Sequence, residues 1–571
     1  MRMSSLFIFI IVSITSCLLV SCITKTTPAD LVLINGKIVT LDEQKPQAQA
    51  LAVKDDRIIN VGSTSEVKNF INSNTTVIDL EGKLVIPAFI EGHAHYMSLG
   101  YSKLKLELGK AKNWHDMIAM IKDAVDNSEP GEWIVGRGWH QEKWDNIPEP
   151  TYEGYPVHNE ISSISPDNPV YLTHASGHAV FANQLAMHLA GVDKSTRDPA
   201  GGRIVRTADG QPSGVFLESA DALIYAKLEE AQQKRTSEQI DQEKREAFKL
   251  AQQACLENGV ATFHDAGASF GTIDFFKKMV DENVLDIRLW VMIGEENENL
   301  KKHISKYKII NLGDHRLTVR SIKRFMDGAL GARGAWLFEP YSDLPSSTGL
   351  NTVTTEYLAE TAEIAVQNDF QLCTHAIGDR GNQETLNIYE STFKKYGNKK
   401  DLRWRIEHAQ HLNPSDIPRF AQLGVYASMQ PNHCTSDGPW VPKRLGDKRS
   451  EEGAYVWQKL IKSGAIINSG TDAPVEDINT IANFYAAITR RLPDGTQFYP
   501  GQCMTREQAL RSYTINNAYA AFEEDIKGSL TPGKLADITV LSKDIMTIPE
   551  EEILTTEVLY TIVGGEIVYT R

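Results

Sequence analysis

Eight short apolar runs, separated by spacers of helix length, set the strongest limit on how this chain can fold. The first run lies just before His93, and the other seven are 260–263, 287–293, 321–326, 371–374, 403–407, 424–429 and 465–469. Such runs are typical of buried strands, and strands that alternate with helices form parallel sheets. The sequence therefore predicts an α/β fold with a (β/α)8 TIM-type barrel, whose catalytic residues lie at the carboxyl ends of the strands.

Metal-capable side chains stand at several of these strand ends. His93 and His95 are one residue apart, so in an extended strand both imidazoles point to the same face. Four later runs end in or near a further candidate ligand: Lys323, His375, His408 and Asp472. Each of these residues alone is better explained as an ordinary polar group at a strand end. Together, at one end of a barrel, they predict a metal centre, because imidazole is a common metal ligand.

Several other motifs occur in a fixed order along the chain. They are SGHAVFAN at 176–183, DGQPSG at 209–214, TFHDAG at 262–267, DGALG at 327–331 and LTPGKLADI at 530–538. With the ligand set, they make the chain resemble the amidohydrolase superfamily. Within it, the chain is most similar to the amidohydrolase-3 group of metal-dependent hydrolases, which act on carbon–nitrogen bonds other than peptide bonds. The resemblance covers nearly everything after the first thirty residues.

This resemblance implies a role for each candidate ligand. His93 and His95 would bind one metal ion, completed by Asp472, and His375 and His408 would bind a second. Lys323 would bridge both ions after carbamylation by carbon dioxide, since a carbamate supplies two anionic oxygens where an ammonium would repel the cations. Without that modification the site holds one ion, bound by the histidines and Asp472. Zinc is the expected divalent metal, with iron, manganese and nickel as alternatives.

The resemblance also implies the reaction. A metal-activated hydroxide would attack the carbonyl of a small-molecule amide, and Asp472 would pass the proton of the water to the departing nitrogen. A deaminase on the same scaffold is one alternative, although such enzymes usually lack the lysine that stands here at position 323. A catalytically silent, lipid-anchored binding protein is the other alternative, and the intact ligand set argues against it.

Two further histidines are candidate catalytic residues. His178 lies in the 176–183 motif and could bind the carbonyl or the developing oxyanion, whereas Asn183 in the same motif is as well explained by a structural role. His264 ends the second strand, where lining the pocket and packing in the core are equally consistent with its position.

Four residues are candidates for substrate binding. Trp139 and Gln141 could form a wall of the pocket, with packing of Trp139 in the core as the alternative. Arg333 could grip a substrate carboxylate or pair with Asp327. His433 follows the seventh strand and is the fourth candidate.

The first residues have the features of a bacterial lipoprotein signal. A positive start and an apolar stretch from Leu6 to Val20, shorter than the ~20 residues of a membrane span, precede Cys22. We interpret 1–21 as a signal peptide, Cys22 as the lipidated residue and 22–30 as a tether; an uncleaved anchor is the alternative. Either predicts an enzyme of the cell envelope, attached to a membrane and facing outside the cytoplasm. In a Gram-negative host that means the outer membrane or the periplasmic side.

The remaining chain divides into three parts. Short strands at 31–87 and 528–571 predict one small β-sandwich built from both chain ends, and 88–97 with 246–527 form the barrel. The insertion at 98–245 is rich in aromatics and loops and is expected to cover the active site. Its tryptophans, Trp133, Trp139 and Trp144, favour an amide with an apolar or aromatic group.

Composition excludes some partners. The net charge of −15, without a run of basic residues, argues against nucleic-acid binding. The four cysteines after Cys22 are scattered, so we expect no disulfide framework, and Cys373 is expected to be a buried structural thiol. A homo-oligomer is compatible with the sequence, which does not determine the oligomeric state.

Overall fold

The computed structural model describes residues 27–571 except 142–143, 147, 175–178, 200–201, 332 and 398–400. The predicted signal peptide and Cys22 therefore lie outside the described residues, as does His178. Within the described part of the chain, no helix is long and apolar enough to cross a membrane.

Eight parallel strands form the centre of the molecule and follow one another in chain order around a nearly closed barrel. They are β1 (Phe89–Ala94), β2 (Val260–Ala268), β3 (Arg288–Ile293), β4 (Leu317–Phe325), β5 (Gln371–Ala376), β6 (Arg405–His408), β7 (Tyr426–Met429) and β8 (Ile467–Ser469). This confirms the predicted α/β barrel. The predicted ends differ by a few residues, and β4 begins four residues earlier than its apolar run, where Leu317 pairs with Leu289 of β3 and Val319 with Ile309.

The first and last strands meet through hydrogen bonds just beyond their ends. The amide of Asp472 donates to the carbonyl of His93, and the amide of His95 donates to that of Ala473, each at 2.8 Å. The buried Glu91 carboxylate accepts from the amide of Thr471 at 2.8 Å. The residues around the first and last candidate ligands are thus fixed to each other at the seam of the barrel.

Helices cover the outside of the barrel, and the turns that precede several of them carry capping side chains. Thr236 caps Ser237–Glu257 in a capping box with Gln239, and Ser269 and Thr354 cap the helices that follow β2 and β4. The main helices around the barrel are Tyr96–Lys103, Ser237–Glu257, Phe270–Asp281, Asn297–His303, Thr355–Gln367, Asp379–Tyr396, Ile417–Leu423, Pro431–Asp437, Val441–Leu445, Asp447–Gly453, Trp457–Lys462, Thr480–Thr489, Arg506–Ser512 and Ile515–Ala520.

Two sheets lie at the ends of the chain. One has the order Arg57–Gly62, Ala50–Lys54, Leu31–Ile34 and Thr76–Asp79, and the other has the order Glu566–Thr570, Val558–Val563, Ile538–Leu541, Leu84–Pro87, Lys37–Val39 and Gln47–Ala48. The second sheet joins both chain ends, because Ile538 pairs with Pro87. Leu33, Val53 and Ile562 from the two sheets share one apolar core. The exact domain boundaries stay predictions.

The segment between β1 and β2 has a sheet of its own. Its strand order is Gly202–Arg206, Pro212–Glu218, Ala179–Ala182, Val170–His174, Ile134–Trp139 and Leu106–Glu107. The helices Trp114–Asp126, Asn159–Ile164, Gln184–Leu189 and Ala222–Gln233 accompany it. This segment is therefore more regular than the loop-rich insertion expected from its composition.

The tryptophans of this segment fill its interior. Trp139 is fully buried and donates its indole N–H to the carbonyl of Leu172 at 2.9 Å. Trp144 packs in the same core, and Trp133 packs against a neighbouring cluster. Trp139 and Trp144 therefore pack in the core of the insertion, and the preference for an amide with an apolar or aromatic group stays a prediction.

The cysteines of the described chain after β1, Cys255, Cys373, Cys434 and Cys503, are free thiols, and the first three are buried. Cys373 packs with Trp290 and Met292 inside the barrel. Burial raises the pKa of the Cys373 thiol far above its usual value. A structural role for Cys373 agrees with this environment.

Candidate metal centre

The barrel brings all six predicted ligands to its carboxyl-terminal end. His93 and His95 lie at the end of β1, and Lys323, His375 and His408 lie in β4, β5 and β6. Asp472 follows β8 in the turn that is bonded to β1. The order of parallel strands explains this convergence, since their carboxyl ends meet at one face.

Two of these residues have a strained backbone. His408 has a φ of 75° and Asp472 a φ of 61°, in the left-handed region that residues other than glycine rarely adopt. Such a conformation costs about 1–3 kcal/mol and persists where surrounding contacts impose it, often at functional sites.

The Asp472 carboxylate lies among three imidazoles. Oδ1 is 3.2 Å from Nε2 of His95 and 3.6 Å from Nε2 of His93. Oδ2 is 3.8 Å from Nε2 of His433. Burial would raise the pKa of Asp472, but the hydrogen bond from His95 and the neighbouring rings of His408, His93 and His433 hold that pKa well below its usual value. Asp472 is therefore a carboxylate at neutral pH.

Lys323 faces the same point from the opposite wall. Its Nζ lies 3.2 Å from Nε2 of His93, and its side chain is buried. Burial lowers the pKa of Lys323, whereas the charges of Glu407 and Asp472 act in the other direction.

The remaining two histidines complete the cluster. The rings of His375 and His408 have centroids 4.5 Å apart, and the His408 ring lies 4.9 Å from that of His93. Burial and the charge of Lys323 lower the pKa of His93 to about 4 and that of His375 to about 3. These two imidazoles are thus neutral at pH 7, which is the form that binds a metal.

The donor set fits a divalent metal ion. Ligand atoms of His93, His95 and Asp472 lie within 4.8 Å of one another, as do those of His408, His433 and Asp472. The buried Nε2 atoms of His375 and His433 have no hydrogen-bond partner in the described part of the chain. Imidazole nitrogens and a carboxylate gathered at one point are the donors that zinc and similar ions prefer. The second group includes His433, which the sequence suggested only as a substrate contact.

Two histidines of the cluster are held by side chains that sequence reasoning missed. His93 donates from Nδ1 to the buried Glu407 carboxylate, and His408 donates from Nδ1 to the amide oxygen of Gln430 at 2.7 Å. Each contact fixes the tautomer and leaves the Nε2 lone pair directed at the centre.

Arg405 balances the charge of Glu407. Both are fully buried, and Nη2 of Arg405 is 3.0 Å from the Glu407 carboxylate and donates to the carbonyl of Gly92 at 2.6 Å. Arg405 holds the pKa of Glu407 well below its usual value, against the effect of burial. The signal in the sequence was a charged pair two residues apart inside an apolar strand.

His264 lies deeper in the barrel. Its Nδ1 accepts from Nη1 of Arg405 at 3.3 Å, and its ring packs on Trp290 with centroids 4.9 Å apart. Burial and the charge of Arg405 lower its pKa well below the usual value. A catalytic role for His264 stays a prediction, as does that of His178, which lies outside the described residues.

The predicted substrate contacts lie in varied surroundings. Trp139 is in the insertion core, and Gln141 is buried with its amide oxygen unpaired among the described residues. The predicted pairing of Arg333 with Asp327 is wrong: Arg333 pairs with Asp343 at 2.8 Å. Asp327 instead accepts hydrogen bonds from three backbone amides, those of Trp336, Ile377 and Gly378. These bonds hold the long loop after β4 in place.

Asn183 has the structural role considered for it. Its side chain caps Gln184–Leu189 and donates to the carbonyls of Ser165 and Asn168. The motif at 176–183 is thus tied to the insertion sheet by Asn183.

Comparison with known proteins gives consistent matches along the chain. Residues 76–569 match the amidohydrolase family. The protein LONG AFTER FAR-RED 3 of Arabidopsis thaliana is 35% identical, over 95% of this chain and 92% of its own. The N-substituted formamide deformylase of Arthrobacter pascens is 25% identical, over 96% of this chain and 99% of its own. An uncharacterized metal-dependent hydrolase from Pyrococcus horikoshii OT3 has a solved structure that is 26% identical, covers 91% of this chain and 99% of its own, and has a TM-score of 0.70.

Proposed function

Because the chain belongs to the amidohydrolase family and is a hydrolase acting on carbon–nitrogen bonds, we propose that it cleaves a non-peptide amide bond of a small molecule with the help of a divalent metal. The observation that carries this proposal is the position of Asp472, whose carboxylate oxygens lie 3.2–3.8 Å from the Nε2 atoms of His95, His93 and His433. A buried carboxylate among imidazoles is suited to hold a cation and to move a proton.

We propose His93, His95, His375, His408 and Asp472 as the metal ligands, with zinc as the expected metal. When bound, the metal would lower the pKa of a water molecule and polarise the substrate carbonyl. Asp472 would accept the proton of the attacking water and return it to the departing nitrogen. Its carboxylate is ionised at neutral pH and is therefore ready to accept.

Lys323 is the proposed bridging ligand, after carbamylation. Its nitrogen faces Nε2 of His93 at 3.2 Å, and burial lowers its pKa. A lower pKa increases the neutral amine fraction, which is the form that reacts with carbon dioxide. The same lysine argues against a deaminase on this scaffold, and the complete ligand cluster argues against a silent binding protein.

The substrate class is supported by a relative. The Arthrobacter pascens protein is named as an N-substituted formamide deformylase and aligns over nearly the whole chain. We therefore propose small N-substituted amides, formamides among them, as the first substrates to examine.

We also propose that Cys22 anchors the enzyme to a membrane of the bacterial cell envelope, facing outside the cytoplasm.

Removal and return of metal test this function. The chain is stripped with a chelator, reloaded with zinc and assayed for amine release from N-substituted formamides and acetamides. We expect activity only after reloading, and a loss of about 10²–10⁴-fold in kcat for Asp472→Asn. Asp416→Asn is the matched control, because Asp416 is also buried but pairs with Arg419 on an outer helix. Metal-independent hydrolysis, or full activity of Asp472→Asn, would refute the proposal.

A further inference from the structure

Phe325 stands between the candidate metal centre and solvent. It is the last residue of β4 and lies two residues beyond Lys323, so both side chains point to the same face of the strand. Lys323 is 2% exposed, whereas Phe325 is 46% exposed. The Phe325 ring therefore lies closer to the mouth of the barrel than the candidate metal centre does.

The Phe325 ring also touches the residues of the centre. Its centroid lies 5.3 Å from that of the His375 ring and 5.0 Å from Nζ of Lys323. One part of the ring thus packs on the candidate ligands, and the rest is open to whatever enters the barrel. A half-exposed aromatic ring at such a position offers apolar surface to a bound molecule.

A second exposed apolar side chain stands across the mouth. Val475 is 67% exposed and follows Asp472 by one turn, its amide donating to the Asp472 carbonyl at 2.8 Å. Strands β4 and β8 are four positions apart in an eight-stranded ring and so lie on opposite sides of the barrel. Apolar residues therefore flank the centre from two directions.

The charged groups of the loop after β4 do not favour an anionic substrate. Arg333, the sequence candidate for gripping a carboxylate, pairs with Asp343, which Arg444 also contacts. The guanidinium of Arg333 would have to leave this partner before it could bind a substrate anion.

We propose that Phe325 is the platform for an apolar N-substituent, so that this enzyme selects amides that carry an alkyl or aryl group over amides that carry a charged group. This inference rests on the proposed function, because it assigns the substrate class of the same site. Phe325 determines specificity and takes no part in proton transfer. Removal of its ring weakens the binding of apolar substituents and spares polar ones.

A matched pair of substrates tests this role. N-butylformamide and N-(carboxyethyl)formamide have similar length and differ in the charge at the end. For Phe325→Ser we expect kcat/KM to fall about tenfold on the butyl substrate, mainly through KM, and less than twofold on the carboxyethyl substrate. Phe325→Leu keeps an apolar surface and should retain most of the preference. Metal content should be unchanged in both variants.

Tyr225→Ser is the control, since Tyr225 is equally exposed at 46% but lies on the insertion helix Ala222–Gln233. Equal losses on both substrates, or no loss, would overturn the inference. If the parent hydrolyses neither compound, calorimetric titration of N-butylformamide still decides it. Weaker binding by Phe325→Ser than by the parent would support the platform even though the proposed function fails. The platform would be refuted if the parent does not bind the compound, or if parent and variant bind it equally well.

Discussion

The side-chain nitrogen of Lys323 lies 3.2 Å from Nε2 of His93, with both residues fully enclosed by the barrel. Nδ1 of His93 is already used by Glu407, so Nε2 is the ring atom that remains for a metal. A charged ammonium at this distance would compete with a cation for the same space. Conversion of Lys323 to an anionic carbamate would remove this conflict.

Loss of the lysine should therefore lower the metal content. We expect the parent to hold about two ions and Lys323→Ala about one, because the bridge between two ions is gone. Elemental analysis gives the ratio, and carbon-13 bicarbonate with NMR should detect the carbamate. Lys527→Ala is the control, since Lys527 is equally buried but pairs with Glu523. A single ion in both parent and variant would show that Lys323 is no bridge.

The contact between Glu407 and His93 should affect metal affinity without touching the metal. In Glu407→Gln the acceptor for Nδ1 remains but its charge is lost, and we expect about 10–100-fold weaker metal binding. Competition with a chromogenic chelator measures this affinity.

That substitution also leaves Arg405 buried without its partner, so thermal stability will fall. Glu523→Gln provides the comparison, because it leaves the buried Lys527 unpaired while Glu523 bonds to Thr318 instead of a candidate ligand. Equal metal affinity in the two variants would mean that Glu407 has a structural role alone.

The barrel and its ligands could be predicted because their signals are local. Apolar runs mark strands, and parallel strands carry their terminal residues to one face, so the sequence alone suffices to group His93, His375 and His408. Glu407 could not be assigned in this way. Its role depends on contact with a residue 314 positions away, and the sequence shows only that Arg405 and Glu407 form a charged pair inside an apolar strand.

Side-chain packing explains the other differences between the sequence-based predictions and the structure. Trp139 was a candidate for the pocket wall because aromatic side chains often line pockets. It lies instead in the core of the insertion sheet, where its indole N–H bonds to a neighbouring strand. His433 lies near His408 and Asp472, so it is also a candidate ligand, and its contact with substrate stays a prediction. A side chain's direction at a strand end depends on the loop that follows, and the sequence does not specify that loop.

The N-terminal segment predicts the location of the enzyme. We expect the parent to be recovered in the membrane fraction and Cys22→Ala to shift to the soluble fraction or remain uncleaved, since thioether lipidation needs the Cys22 sulfur. Labelling with a radioactive or alkyne-tagged fatty acid should mark the parent alone. Substitution of Cys17, inside the apolar stretch, is the control. Label on the Cys22→Ala protein would contradict the assignment.

A buried ion pair joins the barrel to the end sheets and should make stability depend on pH. Arg288, the first residue of β3, holds Asp537 with Nε–Oδ2 at 2.8 Å and Nη2–Oδ1 at 2.9 Å, and both side chains are buried. Burial would raise the pKa of Asp537, but the charge and hydrogen bonds of Arg288, with the charge of Lys527 and the amide of Gly564, together outweigh burial and lower that pKa. A carboxyl whose pKa is lower in the folded state stabilises the fold above its unfolded pKa of about 3.9 and loses this effect as pH falls.

Asp537→Asn should therefore destabilise the protein by about 3–5 kcal/mol at pH 7, because it leaves Arg288 buried without a counter-charge. The difference in melting temperature between parent and variant should be constant above about pH 5 and shrink toward pH 4 and below, as the unfolded parent takes up its proton. Thermal melts across this range measure it. Asp241→Asn, at a partly exposed pair with Arg245 on the outside of the protein, should leave the melting temperature nearly unchanged. A difference that grows on acidification would mean that Arg288 does not stabilise the charged form of Asp537.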